Sequence, residues 1–207
     1  MTSLTSLLAR LIALLARVAS GPSVRVVGDG VCQGQCIFYA NHSSHLDVVV
    51  IWAVLPSAIR RRTRPVAARD YWEQKAWRRF AATRVFNAVL VDRDGNLAAL
   101  RQQLDQLMAA LDDGSSLIIF PEGTRGDGRE VAPFRAGLHF LARQRPNVDL
   151  VPVNLHNLGR IMPKGEFAPV PQLSRVTFGA PLHLEPKEGK DAFLDRARAA
   201  LIALDPA

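Results

Sequence analysis

Short apolar segments alternate with longer helix-like segments along most of the chain, and this alternation restricts the fold more than any other feature. After Gly21-Pro22, strands are predicted over residues 24–27, 37–40, 65–68, 89–91, 117–120, 150–153 and 175–178. Helices are predicted over residues 44–54, 70–82, 96–111, 136–143 and 190–204. Strands separated by single helices form layered sheets. The predicted fold class is therefore α/β, a layered mixed sheet with flanking helices.

Residues 1–20 predict an amphipathic helix in front of this sheet. Leucines recur there at helical spacing, and Arg10 and Arg17 lie off the leucine stripe. The longest uninterrupted apolar stretch, LIALLA, is too short to cross a bilayer, and charge inside the apolar segment argues against a signal peptide. Two interpretations remain, a helix packed on the core and a helix lying in the membrane interface. We assign residues 1–20 to a membrane-interface helix and residues 21–207 to one domain.

The composition favours an anionic partner. The formal net charge is +7, and nearly all the positive residues are arginines, which suit phosphate contacts. The basic run Arg60-Arg61-Arg62 lacks the neighbouring aromatic residues that stack on bases, so no nucleic-acid partner is predicted. The two cysteines, Cys32 and Cys36, offer no second ligand pair for zinc. We expect them to be reduced thiols in a cytosolic protein.

The first polar motif, NHSSHLD at residues 41–47, directly follows a predicted strand. Ser44 and Asp47 have the spacing of a capping box that begins the next helix. Asp47 can instead fix the tautomer of His42 and raise its basicity, which makes His42 a general base toward a hydroxyl. His45 is the alternative base. A metal site built from these side chains lacks a further histidine after Asp47, so no metal is predicted.

The second motif, FPEGTR at residues 120–125, also follows an apolar strand. It predicts a sharp turn in which Gly123 permits close backbone approach. Thr124 supplies a hydroxyl, and Arg125 supplies a planar guanidinium that suits phosphate. The competing interpretation is a surface turn with a solvated arginine. Ligands collect at the carboxyl ends of strands in such sheets, so this turn is predicted beside the site.

Two weaker motifs follow other strands. The segment VLVDR at residues 89–93 delivers Arg93 to the same edge of the sheet. The segment VPVN at residues 151–154 places Pro152 inside a buried strand, a pattern typical of an edge strand or a bulge.

Taken together, these motifs resemble the glycerolipid acyltransferases. The blocks NHSSHLD, VLVDR, FPEGTR and VPV occur in the order and approximate spacing of that family, over about residues 24–185. The resemblance is strongest to the bacterial 1-acylglycerol-3-phosphate acyltransferase type. Two departures concern the acceptor: His45 stands where a bulky aromatic residue is common, and NLHNLGR at residues 154–160 replaces a continuation of small residues.

The resemblance implies direct transfer of a fatty acyl group from acyl-CoA or acyl carrier protein to a lysolipid hydroxyl, with no cofactor. His42 and Asp47 would form the catalytic dyad, and backbone amides at the start of the following helix would bind the oxyanion. It also implies a set of substrate-binding residues: Arg93, Glu122, Gly123 and Arg125 for the acceptor and its phosphate, and Pro152 near the acyl chain. Ser44, Pro121 and Thr124 are predicted to bind substrate as well.

The expected partners are the membrane surface, a lysolipid acceptor and an acyl donor. The arginine run at residues 60–62 is interpreted as facing anionic headgroups or the carrier protein. The expected location is the cytoplasmic face of the cell membrane, in a peripheral or monotopic arrangement. The alternatives are transfer to another lysolipid, for example a lyso-amino-lipid, and a non-catalytic lipid-binding relative.

Overall fold

The computed structural model describes residues 3–28, 31–32, 34–92, 97–161 and 173–205. Seven strands of these residues form one sheet in the order β1-β7-β6-β2-β5-β3-β4. The strands are β1 (Pro22–Val26), β2 (Cys36–Ala40), β3 (Thr63–Ala68), β4 (Val89–Val91), β5 (Ser116–Ile119), β6 (Asp149–His156) and β7 (Ser174–Phe178). All seven predicted strands are present, and their ends differ from the prediction by only a few residues.

Helices connect most of these strands. They are α1 (Ser3–Ser20), α2 (Asp47–Val54), α3 (Ser57–Arg61), α4 (Arg69–Trp72), α5 (Ala76–Phe80), α6 (Leu97–Asp112), α7 (Gly137–Gln144), α8 (Leu158–Ile161) and α9 (Lys190–Ile202), with a π-helical turn at Ala81–Val85. The short helices α3 and α8 were not predicted. The mixed α/β fold class is confirmed.

The direction of the strands determines which ends meet. Strands β6, β2, β5, β3 and β4 run parallel to one another. Strand β7 runs antiparallel to β6, and β1 runs parallel to β7. The carboxyl ends of β2 and β5 are therefore neighbours at one edge of the sheet. The two polar motifs follow these two strands, as the sequence predicted.

Two hydrophobic layers cover the two faces of the sheet. Buried side chains of α1 and α2 pack with those of β2, β6 and β7 on one face. Helices α6, α7 and α9 contribute the buried side chains of the other face. The central strand β2 is fully buried, so the residues that follow it begin at a rigid point of the core.

Helix α1 packs on the core through its smallest side chains. Ala9, Ala13 and Ala16 are buried against α2, and their spacing puts them on one face of the helix. Most of the leucines face outward: Leu7 is 64% exposed and Leu14 is 58% exposed, whereas Leu8 packs partly against the core. The helix thus contacts the core and also presents a large apolar face. Within the described residues, no helix has both the length and the hydrophobicity to cross a membrane.

Two predicted helices differ in the structure. Helix α2 begins at Asp47 and not at residue 44, because the Asp47 carboxylate binds the backbone N–H groups of Ser43 and Ser44 and holds them in a turn. The helix predicted at residues 70–82 is divided into α4, α5 and the π-helical turn. Lys75 adopts an extended conformation (φ −132°, ψ 137°), which interrupts that helix.

Pro152 lies in an interior strand, so the prediction of an edge strand or bulge is wrong. Strand β6 lies between β2 and β7. The Pro152 carbonyl accepts a hydrogen bond from the Gly179 N–H, just beyond the last β6–β7 pair, Val153 with Phe178. A proline is tolerated at this position because its missing N–H falls where the β7 ladder has already ended.

Cys32 and Cys36 form a disulfide, so the prediction of two reduced thiols is wrong. Bends before β2 bring their Cα atoms to 6.6 Å, within the range that a disulfide spans. The bond connects the segment in front of β2 to the first residue of that strand.

Candidate active site

His42 and Asp47 meet directly after β2. Nδ1 of His42 lies 2.9 Å from Oδ2 of Asp47. The Asp47 side chain is fully buried, whereas the His42 side chain keeps 21% of its surface exposed. A buried carboxylate acts as acceptor for the Nδ1–H of a neutral imidazole, which leaves Nε2 as the basic nitrogen. The arrangement therefore holds one tautomer of His42.

The same Asp47 oxygen also organises the turn that precedes α2. Oδ2 accepts the backbone N–H of Ser43 at 2.7 Å and that of Ser44 at 2.8 Å. Oδ2 of Asp47 thus both holds the turn in front of α2 and orients His42. These amides are already engaged, and the Leu46 N–H binds the Ser44 hydroxyl. The predicted oxyanion donors at the start of this helix are therefore occupied by internal contacts.

Phe120 supports the imidazole from the neighbouring strand. Its ring stacks on that of His42 at a centroid distance of 4.1 Å with an interplanar angle of 20°. Phe120 follows β5 directly, and β5 pairs with β2. The sheet register therefore fixes both the position and the plane of the imidazole.

Glu122 connects the two motifs through backbone hydrogen bonds. Oε1 accepts the N–H of His42 at 2.8 Å, and Oε2 accepts the N–H of Ala132 at 2.9 Å. The residue is 5% exposed and is not part of the cavity wall described below. Burial raises the pKa of Glu122, and the hydrogen bonds from Ala132 and His42 oppose that shift. Glu122 thus connects the turn at His42 to the loop at Ala132. Its carboxylate does not line the cavity in which a lysolipid acceptor would lie.

Gly123 allows an arginine to lie across the same turn. Its φ is +76°, in the left-handed region that favours glycine. A Cβ at this position would overlap Nε of Arg135. The N–H of Arg135 binds the carbonyl of Pro121 at 2.9 Å, so the loop returns and lays this guanidinium over the turn.

A cavity of about 650 Å³ opens beside His42. Its wall includes Thr124, Arg125 and Arg135 from the second motif and the loop after it. Nη1 of Arg125 is buried and has no hydrogen-bond partner among the described residues. The rest of the wall is largely apolar and comes from β3–β5, α2, α4, α6 and α7: Val48, Val66, Tyr71, Trp72, Val91, Leu100, Leu104, Leu107, Ile119, Leu138 and Leu141. The cavity wall thus combines two arginines and the carboxylate of Asp92 with a large apolar surface.

The remaining predicted residues are placed as follows. Pro121 lines the cavity. Ser44 is buried, and its backbone N–H binds Asp47. Pro152 lies away from the cavity wall, next to Gly179, so the structure does not bring it to the expected acyl-chain position. Arg93 lies outside the described residues.

The structure also gives the positions of His45, the alternative base, and of Arg135, which the sequence did not point to. His45 lines the cavity and stacks on Tyr71 at 4.4 Å. Arg135 was not predicted. Ten residues separate it from Arg125, and only the returning loop brings both to one cavity. The described residues contain no group of three histidine, cysteine or acidic side chains that could hold a metal ion.

Comparison with known proteins identifies the family. The Acyltransferase family model matches residues 23–156. The chain belongs to the acyltransferase family. The match spans both polar motifs and ends at the last residue of β6, so the resemblance drawn from these motifs is confirmed.

Two relatives of the chain are both named 1-acyl-sn-glycerol-3-phosphate acyltransferase. A 1-acyl-sn-glycerol-3-phosphate acyltransferase of Chlamydomonas reinhardtii is 32% identical over 116 residues, which is 56% of this chain and 33% of the relative. One of Pseudomonas aeruginosa is 31% identical over 104 residues, which is 50% of this chain and 40% of the relative. The match therefore spans less than half the length of either relative.

A solved structure supports the fold of this acyltransferase. The crystal structure of the 1-acyl-sn-glycerophosphate acyltransferase of Thermotoga maritima superposes with a TM-score of 0.70 at 19% identity. The alignment covers 97% of this chain and 79% of that one. The architecture seen here, including α1 in front of the sheet, is therefore that of a known acyltransferase.

Proposed function

We propose that this acyltransferase moves a fatty acyl group from acyl-CoA or acyl carrier protein to the hydroxyl of 1-acylglycerol-3-phosphate. The observation that carries the proposal is His42, held through Nδ1 by buried Asp47 in the wall of a cavity that is also lined by two arginines and many apolar side chains. The names of the algal and bacterial relatives support this choice of acceptor.

In the proposed reaction, Nε2 of His42 takes the proton of the acceptor hydroxyl as its oxygen attacks the thioester carbonyl. The Asp47 carboxylate stabilises the imidazolium that forms. The tetrahedral intermediate collapses, the carbon–sulfur bond breaks, and the thiolate takes the proton from His42. The products are the new ester and a free thiol. A thioester is already activated, so no acyl-enzyme is needed, and the donor is a substrate and not a bound cofactor.

Arg125 and Arg135 are the proposed contacts of the acceptor phosphate. Both line the cavity near His42, and the buried Nη1 of Arg125 lacks a protein acceptor within the described residues. A buried donor without a partner is costly, and a phosphate oxygen would satisfy it. The apolar wall would hold acyl chains, since burial of methylene groups is the main source of their binding free energy.

The test is an acyl-transfer assay with the full chain, acyl-CoA or acyl carrier protein, and a panel of lysolipids with and without a free phosphate. Release of free thiol with formation of diacylglycerol phosphate, identified by mass spectrometry, is the expected result. His42→Ala is the control and should release little thiol. Thiol release only with a phosphate-free lysolipid would show that the acceptor is a lysolipid other than 1-acylglycerol-3-phosphate. No thiol release with any lysolipid would favour a non-catalytic, lipid-binding protein.

We also propose that α1 attaches this acyltransferase to the membrane surface in a peripheral or monotopic manner. The support is the outward direction of its leucines, since Leu7, Leu14 and Leu15 are 64%, 58% and 57% exposed. Trp77 and Phe80 of α5 are also exposed, and the π-helical turn that continues α5 packs against α1. Exposed apolar faces of this kind mark interaction sites.

Vesicle sedimentation with Leu7→Gln/Leu14→Gln tests this proposal. Burial of one leucine is worth about 1.5–3 kcal/mol, so each substitution should weaken vesicle binding by at least about tenfold. The matched control is Leu173→Gln/Ile202→Gln, which changes two exposed apolar residues outside α1. Equal binding by both variants would show that α1 does not contact the bilayer.

A further inference from the structure

Four arginines meet beside the carboxyl end of α2. Arg10 and Arg17 belong to α1, and Arg60 and Arg61 belong to α3. Nε of Arg17 and Nη1 of Arg60 donate to the same carbonyl oxygen, that of Ala53, at 3.0 and 3.2 Å. Two guanidinium groups with one acceptor must lie side by side. We call this group the arginine corner.

Within the described residues, no acidic side chain neutralises the charge of the arginine corner. No carboxylate of the described residues forms an ion pair with any of its four arginines. Partial burial lowers the pKa of Arg60, and the nearby charges of Arg17, Arg10 and Arg61 lower it further. The Arg60 guanidinium also lies over the Trp52 ring, 5.1 Å from its centroid. The positive charges of these arginines thus lie near one another, and the Arg60 guanidinium packs on an aromatic ring.

Capping of α2 explains only part of this arrangement. Ala53 is in the last turn of α2, where carbonyl oxygens lack intrahelical partners and the helix end is partially negative. A cation there is stabilising, but one carbonyl does not require two guanidinium groups. The capping bonds use one N–H of Arg17 and one of Arg60, and each guanidinium carries five.

The arginine corner borders the exposed apolar face of α1. Arg10 and Arg17 are seven residues apart and so lie on one side of the helix, between the buried alanines and the exposed leucines. Leu7 and Leu14, 64% and 58% exposed, lie next to this border. When the leucines enter the acyl region of a bilayer, arginines at such a border reach the level of the phosphates.

We infer that the arginine corner binds the phosphate of an anionic phospholipid in the bilayer on which α1 rests. Guanidinium groups bind phosphate oxygens through paired, charge-assisted hydrogen bonds. This inference rests on the proposed attachment of α1 to membranes and goes beyond it, because it names the lipid class and the residues that recognise it. The corner is at the carboxyl end of α2, whereas His42 is before its amino end, so this lipid is distinct from the substrate.

The test compares vesicles of phosphatidylcholine with vesicles that also contain phosphatidylglycerol, using the full chain. Each arginine near an anionic surface contributes about 1 kcal/mol, or about five-fold in affinity. Arg17→Gln/Arg60→Gln should therefore lose more than about tenfold in affinity for the anionic vesicles and little for the neutral ones. The matched control, Arg143→Gln/Lys190→Gln, removes two charges on α7 and α9, which cover the other face of the sheet, and should lose much less.

Two further arms keep the result interpretable. Arg17→Lys/Arg60→Lys retains the charge and reports any contribution of the guanidinium fork, and thermal unfolding of each variant reports loss of the α2 cap. Equal losses on neutral and anionic vesicles, equal losses in the control variant, or full competition by inorganic phosphate at physiological ionic strength would overturn the inference. Acyl transfer to detergent-solubilised lysolipid should persist in Arg17→Gln/Arg60→Gln, so failure of this inference and failure of the proposed reaction give different results.

Discussion

The carboxylate of Glu122 accepts the backbone N–H of His42 at 2.8 Å, so a residue of the second motif holds the first motif from the adjacent strand. Its other oxygen accepts the Ala132 N–H, which closes the loop after the second motif. The resemblance implied an acceptor-binding role for Glu122. The contacts support a role in positioning His42, because Glu122 is buried and both of its carboxylate oxygens already accept backbone N–H groups.

Glu122→Ala should lower kcat far more than it raises KM for the lysolipid acceptor. The substitution leaves the part-buried N–H groups of His42 and Ala132 without their protein acceptor, at a cost of at most about 1–3 kcal/mol each. It also releases the backbone of His42, so the imidazole moves relative to the acceptor hydroxyl. Steady-state kinetics with the acceptor varied would show the split. An increase confined to KM would return Glu122 to the acceptor-binding role.

Glu122→Gln should change how stability depends on pH. Burial raises the folded-state pKa of Glu122 above its ordinary value of 4.5. The stability that comes from protonating this group is therefore fully present below pH 4.5 and is lost as pH rises through the raised pKa. Chemical denaturation across this interval should give a shallower pH dependence for Glu122→Gln than for the unchanged chain. Identical slopes would show that the carboxyl does not titrate with a raised pKa.

The positions of the strands and the meeting of the two motifs could be predicted from the sequence. Both depend on local patterns: apolar runs of strand length, and the rule that ligands collect where parallel strands end. The pairing of His42 with Asp47 followed from the same logic, because the two residues are five apart across a turn.

The features that were missed depend on contacts between distant residues. Alanines and leucines are both apolar, so periodicity could not tell which face of α1 packs on α2 and which faces outward. The bonds of Glu122 reach residues 80 and 10 positions away. Arg135 enters the cavity only because a loop returns across Gly123. The sequence contains no local signal for these contacts.

Gly123→Ala should destabilise the loop and reduce activity. A left-handed conformation costs an alanine about 1–2 kcal/mol, and the new Cβ would displace the guanidinium of Arg135. In Gly123→Ala/Arg135→Ala only the backbone strain remains, so the double variant should recover part of the stability lost in the single variant. Gly34→Ala is the control, since a Cβ there meets open space. Additive effects of the two substitutions on the free energy of unfolding would contradict the packing of Arg135 on this turn.

Arg125→Ala should mainly weaken use of the phosphate-bearing acceptor. A hydrogen bond to a charged group contributes about 1.5–3 kcal/mol, which predicts a loss of roughly ten- to 150-fold in kcat/KM. Arg135→Ala should act in the same direction, and each variant should change transfer to a phosphate-free lysolipid much less. Equal losses with both kinds of acceptor would assign the two arginines a structural role.

Asp47→Asn separates the two tasks of Asp47. Oδ2 accepts the N–H groups of Ser43 and Ser44 as well as the bond from His42. An asparagine oxygen can occupy the same place, and the two backbone donors hold it there because the amide NH₂ would repel them. The turn and the His42 tautomer should therefore persist. The negative charge that stabilises the imidazolium is lost.

Activity of Asp47→Asn should fall by about 10²–10⁴-fold, a range comparable to loss of a general base. The amide NH₂ takes the place of Oδ1, which is buried without a partner, so a stability loss of about 1–3 kcal/mol is also expected. His42→Ala should lose at least as much, and adding Asp47→Asn to it should cost little more, because residues that act as a unit are not additive. His45→Ala serves as the comparison and should be far milder. An inactive His45→Ala beside an active His42→Ala would show that His45 and not His42 is the base. An active Asp47→Asn would leave Asp47 only the task of holding the turn in front of α2.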